Sequence, residues 1–247
     1  MSAPDWLTER PVAHRGLHDL SRGHVENSLS AADCAVLNGF AIECDVQLSA
    51  DDEAMVFHDA TLDRLTGRQG SLSEKRAAEL EEIELTGGTD RIPRLVHLLG
   101  LVAGRVPLVV EIKSAFDGDL RLARRTAEIV RDYRGPLALK SFDPAVVAVL
   151  REIAPERPRG IVGQNVYRDH EGAPPPEMRH ALANLLHYEE TLPDFLSWKV
   201  SDLGTAVPHL CRVGIGMPVL TWTVRTEEDR QRARRHADQI VFEGFVP

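Results

Sequence analysis

The chain has little cysteine. Cys34, Cys44 and Cys211 are an odd number and form no Cys-x-x-Cys pair, which argues against a disulfide framework and against a thiolate zinc site. Long apolar runs are missing as well. No stretch reaches the ~18 residues that a membrane span requires, and the opening MSAPDWLTERPVAHRG holds no apolar core of a signal peptide. A soluble, cytoplasmic protein without a membrane span is the expectation. Positive charge is in deficit: 29 Lys and Arg stand against 38 Asp and Glu, a net charge of −9. That excludes a general nucleic-acid binder or a protein drawn to an anionic membrane. It leaves room for a small phosphate-bearing partner, because the local field in a pocket decides that. Lysine is especially scarce, with only Lys75, Lys113, Lys140 and Lys199 among the 29 cations.

What is present points to a barrel. The 247 residues, 43% hydrophobic and 27% charged, suit one α/β barrel of ~250 residues. Eight apolar runs read as strands: 11–13, 41–46, 107–113, 137–142, 160–163, 195–200, 218–224 and 239–243. Helical patterns fall between most of them, over 28–38, 95–103, 120–131, 145–153, 176–186, 205–212 and 227–236. Strand–helix alternation repeated eight times predicts an α/β fold, a (β/α)8 TIM-like barrel forming a single domain over 1–247. A doubly wound open sheet is the runner-up, but no glycine-rich phosphate loop follows the first strand. The connection after the second strand is long. Its first part, 47–59, is too short to hold a crossover helix and predicts a hairpin that returns His58 towards Glu43 and Asp45. The rest, about 60–93, with a charged helix near 73–82, reads as a small inserted cap.

Five separated pieces carry one kind of chemistry: His14-Arg15-Gly16, Glu26-Asn27, Glu43-Cys44-Asp45, His58-Asp59 and Glu111-Ile112-Lys113. Catalytic side chains of a barrel cluster at the C-terminal ends of its strands. Glu43 and Asp45 are two apart and share a strand face, as do Glu111 and Lys113, while Cys44 points the other way, into the core. Acids and a lysine on the inward face of central strands are costly unless a cation and a substrate anion use them. The alternative is a network of buried ion pairs. Taken together, the carboxylates can hold a hard divalent cation, the histidines can move protons near neutral pH, and Arg15 and Lys113 can hold a phosphate. That is the equipment for metal-assisted cleavage of a phosphodiester. The other eight histidines lie on helix or loop patterns and read as solvated or structural. Lys140 and Lys199 also fall within strands, where they either line the mouth or snorkel between helices; the mouth is the working expectation. Trp222 reads as inward, either packing the barrel or walling the alcohol part of a substrate.

The stretches AHRG (13–16), ENSLSA (26–31), ECDVQLSADDEAMVFHDATLDRLT (43–66), IPRL (92–95), VEIK (110–113), KSFDP (140–144) and WTV (222–224) resemble the glycerophosphodiester phosphodiesterase family in order and spacing. The resemblance runs from about residue 11 to the end and is sharpest in the N-terminal half. It implies a TIM-like barrel with an inserted cap, and Mg²⁺ or Ca²⁺ as cofactor. The implied reaction is hydrolysis of small glycerophosphodiesters to glycerol 3-phosphate and an alcohol, within glycerol and lipid metabolism. Carried over by motif, Glu43, Asp45 and Glu111 would be metal ligands, and His14 and His58 the acid/base pair. Arg15 and Lys113 would bind phosphate and Trp222 would lie beside the glycerol. Asn27 and Glu26 match an acidic-Asn pair, with Glu26 a further ligand or an orienting group. Lys199 matches no family motif. There are departures: Val25 stands where proline commonly precedes the acid, Arg225 follows WTV where asparagine is usual, and the end, 241–245, lacks a common Thr-Asp. They touch the glycerol and headgroup side. A lysophospholipase D or sphingomyelinase D type of the same superfamily is the alternative activity. A non-catalytic phosphate-ester binding barrel is disfavoured, since all seven central residues are present. Homo-oligomerisation stays open.

Overall fold

The computed structural model describes residues 3–169 and 173–247. Among the described residues nine strands form: β1 (Val12–Ala13), β2 (Ala41–Leu48), β3 (Ala54–Val56), β4 (Leu108–Ile112), β5 (Leu137–Ser141), β6 (Arg159–Gly163), β7 (Phe195–Lys199), β8 (Val219–Val224) and β9 (Gln239–Phe242). The sheet order is β1-β9-β8-β7-β6-β5-β4-β2-β3, with β1 also paired to β2. Setting β3 aside, this is the cyclic order of a (β/α)8 barrel, a TIM-like fold. All eight expected barrel strands form, and β3 is the second arm of the expected hairpin.

Two compact units make up the chain. The first comprises Ala13–Lys113 with Arg121–Leu137, and the second Met1–Val12, Ser114–Leu120 and Ala138–Pro247. In the first, β2 and β4 run parallel with Asp45 opposite Glu111 and Glu43 opposite Val109. Strands of a parallel sheet are covered on both faces, so Ile42, Cys44 and Val46 are buried on one side of β2 and Glu43 and Asp45 on the other. The hairpin closes β2 on β3 antiparallel, with Val46 opposite Val56. Its tip turns through Asp52 at φ +59°, and the Ser49 amide donates to the Glu53 carbonyl at 3.0 Å. The Phe57 amide then donates to the Asp45 carbonyl at 3.0 Å, which sets His58 just beyond the acidic face of β2. The cap segment has its own apolar cluster, in which Leu62, Leu65, Leu72, Leu80 and Ile92 pack on Met55 and Phe57.

The second unit carries β5 to β9 in parallel around Leu196, Trp198, Val219 and Val224. Gly163 faces the Trp198 indole so closely that a Cβ there would come within 2.4 Å of the ring; glycine leaves the space the indole fills. Helix Glu227–His236 starts at a capping box in which Thr226 and Asp229 each satisfy the other's backbone amide. Three acids in its first turn and Arg234, Arg235 and His236 in its last complement the helix dipole.

Three helices depart from expectation. The charged segment 73–82 is split into a 3-10 turn, Leu72–Glu74, and a short helix, Ala77–Leu80. The hairpin tip is the cause: the Ala50 amide takes the Lys75 carbonyl at 2.8 Å, and Asp51 accepts from the Ala77 amide at 2.7 Å. These bonds hold Lys75 and Arg76 extended. The pattern 205–212 begins as a helix, Ala206–His209, and continues as a π turn, Leu210–Gly214. Helix Pro176–Ala183 stops three residues early. Among the described residues no helix is long and apolar enough to cross a membrane.

Candidate active site

The site begins where β1 ends. His14 is 8% exposed. The next two residues adopt left-handed backbone, Arg15 at φ +56° and Gly16 at φ +83°. A Cβ on Gly16 would lie 2.9 Å from Ala31, so only glycine lets the chain pass this close to helix Leu29–Leu37. Asn27 is left-handed too, at φ +57°. Such conformations cost on the order of 1–3 kcal/mol each outside glycine and persist where the surroundings over-determine them. Here the Arg15 amide donates to Glu43 Oε2 at 3.2 Å and the Asn27 amide to the Arg15 carbonyl at 2.9 Å. Asn27 also exchanges two bonds with Asp45: its Nδ2 donates to Asp45 Oδ2 at 2.9 Å, and the Asp45 amide donates to Asn27 Oδ1 at 3.1 Å.

Glu43, Asp45 and Glu111, 1%, 2% and 5% exposed, bring one oxygen each to within 4.8 Å of one another. Lys113 Nζ stands 2.7 Å from Asp45 Oδ1 and 2.5 Å from Glu111 Oε1. Arg15 Nε is 3.3 Å from Asp45 Oδ2. Burial opposes the charge on Asp45, but Lys113, His58 and Arg15 outweigh it and hold the carboxyl well below the ordinary aspartate value. Burial likewise opposes the Lys113 charge, and Asp45 and Glu111 prevail, raising its pKa. Three buried carboxylates thus face two cations, one of which is shared with Glu26. An all-oxygen donor set of this charge fits a hard divalent cation.

His58 hangs from the hairpin. Its Nδ1 lies 2.6 Å from Asp59 Oδ1, so Nε2 is the ring nitrogen turned away from Asp59. Burial, reinforced by Lys113 and Arg15, holds its pKa below the ordinary imidazole value despite Asp45 and Asp59. Asp59 is gripped from behind by Arg64, whose Nε donates to Oδ2 at 2.6 Å and whose Nη2 donates to Oδ1 at 3.0 Å. The same guanidinium reaches Glu26, with Nη1 to Oε2 at 2.9 Å and Nη2 to Oε1 at 2.8 Å. Glu26 Oε1 also accepts from Arg15 Nη1 at 2.6 Å. Both Glu26 oxygens are therefore engaged by arginine, as suits an orienting group. Sequence reasoning missed Arg64. It lies inside the resembling stretch 43–66, but its reach across 38 residues to Glu26 leaves no local pattern. Of the other histidines, His97 pairs with Glu81 at 3.2 Å, His24 meets Ser30 Oγ at 3.0 Å, and His187 is buried. His170 lies outside the described residues.

Lys199 and Trp222 belong to the second unit, where Lys199, the last residue of β7, is the register partner of Trp222 on β8. Trp222 is half-buried, donates Nε1 to the Ser197 carbonyl at 3.1 Å and meets Phe142 edge-on at 5.5 Å between centroids. Lys199 is half-buried beside it. Lys140 is buried within β5. Two of the departures from the family pattern meet in one ion pair: Arg225 Nη2 donates to Glu243 Oε2 at 2.9 Å.

A family model described as the glycerophosphoryl diester phosphodiesterase family matches residues 14–241. A glycerophosphodiester phosphodiesterase of Caldanaerobacter subterraneus is 27% identical over 163 residues, 62% of this chain. The match spans just under two thirds, 66%, of that relative's own length. Among solved structures, a glycerophosphodiester phosphodiesterase of Thermotoga maritima is similar at a TM-score of 0.70 and 26% identity, covering 95% of this chain and 94% of that one. A phosphodiesterase of Oleispira antarctica, solved with its product sn-glycerol-3-phosphate, is similar at 0.77 over 96% of this chain and 93% of that one. At 21% identity it speaks for the fold alone.

Proposed function

We propose, because the chain belongs to the glycerophosphoryl diester phosphodiesterase family, that it hydrolyses glycerophosphodiesters to glycerol 3-phosphate and an alcohol. The observation that carries this reading is the buried meeting of Glu43, Asp45 and Glu111 within 4.8 Å, with Lys113 and Arg15 beside them. Glu43, Asp45 and Glu111 would hold Mg²⁺ or Ca²⁺, which when bound supplies Lewis-acid stabilisation of charge on the phosphoryl oxygens. Arg15 and Lys113 bind the phosphate, and their fixed positive charges offset what develops in the transition state. His58 presents Nε2, its ring fixed by Asp59 at Nδ1. One of His14 and His58 deprotonates the nucleophile, either water or the substrate's own neighbouring hydroxyl, which would first give a cyclic phosphate that water then opens to glycerol 3-phosphate. The other protonates the leaving oxygen. The test is release of glycerol 3-phosphate from a panel of glycerophosphodiesters in Mg²⁺, in Ca²⁺ and in excess chelator. Release that stops in chelator and returns with the metal is expected. Full turnover in chelator would remove the metal from the reading, and no release from any diester would remove the reaction.

The two strand-end lysines should separate by role. Lys113 reaches the group of acids that would hold the metal, so Lys113→Met should weaken binding and turnover of every diester, since each carries the phosphate. Lys199 adjoins Trp222, and in this reading both touch the part of the substrate that varies. Lys199→Met should then reorder the headgroups through KM. kcat/KM over the panel for both variants, with melting temperatures, checks this. An unchanged order with a lowered melting point for Lys199→Met would make Lys199 a packing residue.

A further inference from the structure

We propose that Arg64 is a positioning residue that holds two working side chains at once, Arg15 through Glu26 and His58 through Asp59. This rests on the phosphodiesterase reading of the site. A guanidinium has two edges, and Arg64 uses both as forks. The Nε/Nη2 edge takes both oxygens of Asp59 at 2.6 and 3.0 Å. The Nη1/Nη2 edge takes both oxygens of Glu26 at 2.9 and 2.8 Å. Each carboxylate then passes the constraint on. Glu26 Oε1 holds Arg15 Nη1 at 2.6 Å, and Asp59 Oδ1 faces His58 Nδ1 at 2.6 Å. A carboxylate at one ring nitrogen fixes the tautomer and leaves the other nitrogen aimed at its task. Without Arg64, Asp59 would lose the cation behind it, and Glu26 would be held from the Arg15 side alone.

The cap does not need this side chain for its own packing. Helix Asp63–Thr66 is anchored by Leu65 in the apolar cluster, by the Thr86 amide on the Leu65 carbonyl at 2.7 Å, and by the Leu62 amide on the Gly70 carbonyl at 3.0 Å. The Arg64 side chain is 47% exposed, where ion pairs contribute little to stability. Its loss should therefore show in kinetics far more than in melting.

The experiment compares Arg64→Ala, Arg64→Lys, Asp59→Asn, Glu26→Gln and the doubles Arg64→Ala/Asp59→Asn and Arg64→Ala/Glu26→Gln. The readouts are kcat, KM and melting temperature on one glycerophosphodiester with metal, and the ¹⁵N shifts of the His58 ring. Arg64→Ala should lower kcat by roughly 10- to 100-fold, the usual worth of a group that orients a working side chain. It should also raise KM and move melting by only a few degrees. Lysine should restore little, because a point charge cannot make two forks. In the doubles, Arg64→Ala should add nothing to the kcat loss of Asp59→Asn and nothing to the KM rise of Glu26→Gln. An unchanged kcat in Arg64→Ala, full recovery with lysine, or effects that multiply in both cycles would overturn the proposal. If the wild-type chain turns over no diester, the reaction reading falls, while the ¹⁵N spectrum still decides: loss of the Nδ1-protonated form of His58 in Arg64→Ala supports the clamp, and an unchanged spectrum overturns it.

Discussion

Asp45→Asn is expected to abolish turnover and to leave the fold standing. Asp45 is heavily engaged, since Lys113, Arg15 and Asn27 all converge on it. Asparagine keeps an oxygen for Asn27 and the same backbone amide, so the local frame survives. What goes is one of three buried negative charges. Lys113 and Arg15 each lose a partner in the variant, and breaking a buried ion pair is destabilising. The metal-free variant should therefore melt somewhat below the metal-free wild type, and the metal response is read from each protein's own metal-free melting temperature. The difference should appear on adding metal. A ligand that binds only the folded state stabilises it by about 2.7 kcal/mol at one hundred times its dissociation constant. For a chain of about this size that corresponds to a rise of roughly 5–10 °C. The wild type should show that rise with Mg²⁺ or Ca²⁺, and Asp45→Asn and Glu43→Gln should show little of it. Calorimetric titration with the metal alone checks the same point without substrate. Equal metal-induced stabilisation in all three proteins would place the cation elsewhere or nowhere.

Different parts of the molecule were legible in the sequence to different degrees, for physical reasons. Barrel strands are covered on both faces and so write themselves as short apolar runs; all eight formed where expected. Glu43 and Asp45 stood out because acids interrupt such a run at a spacing of two, and the register that sets Asp45 opposite Glu111 follows once β2 and β4 are parallel neighbours. The hairpin was legible from length alone. The cap was legible as an insertion but its helix near 73–82 was not, because the split between Leu72–Glu74 and Ala77–Leu80 is imposed by Ala50 and Asp51 at the hairpin tip, and no local propensity encodes a partner more than twenty residues away. Arg64 is the sharper case. Its four bonds go to residues 5 and 38 positions away, and an arginine on a short exposed helix reads as a solvated one. The left-handed backbone of Arg15 and Asn27 was equally hidden, since neither is glycine and the strain is held by bonds made across the site.

His14 and His58 should prove to be partners. Removing either by mutation to glutamine should lower kcat by ~10²- to 10⁴-fold, the range for a positioned acid or base. His58 has the features of a proton carrier. Asp59 occupies Nδ1, and its pKa is held below the ordinary imidazole value by burial and by the charges of Lys113 and Arg15. It is therefore neutral near pH 7 and able to accept a proton at Nε2. His14 comes from another element, at the end of β1, and is joined to the same acids through its neighbour Arg15, whose amide donates to Glu43. If one withdraws a proton while the other supplies one, each is of use only while the other is in place. The double variant should then be little worse than the poorer single, far short of the product of the two losses, as for groups that act as a unit. Single-turnover rates for the four proteins of the cycle, at saturating metal, make the measurement. Losses that multiply would mean the two histidines work in separate steps, and a substrate with a highly acidic leaving alcohol would then show which one had been its acid, because only that variant would recover.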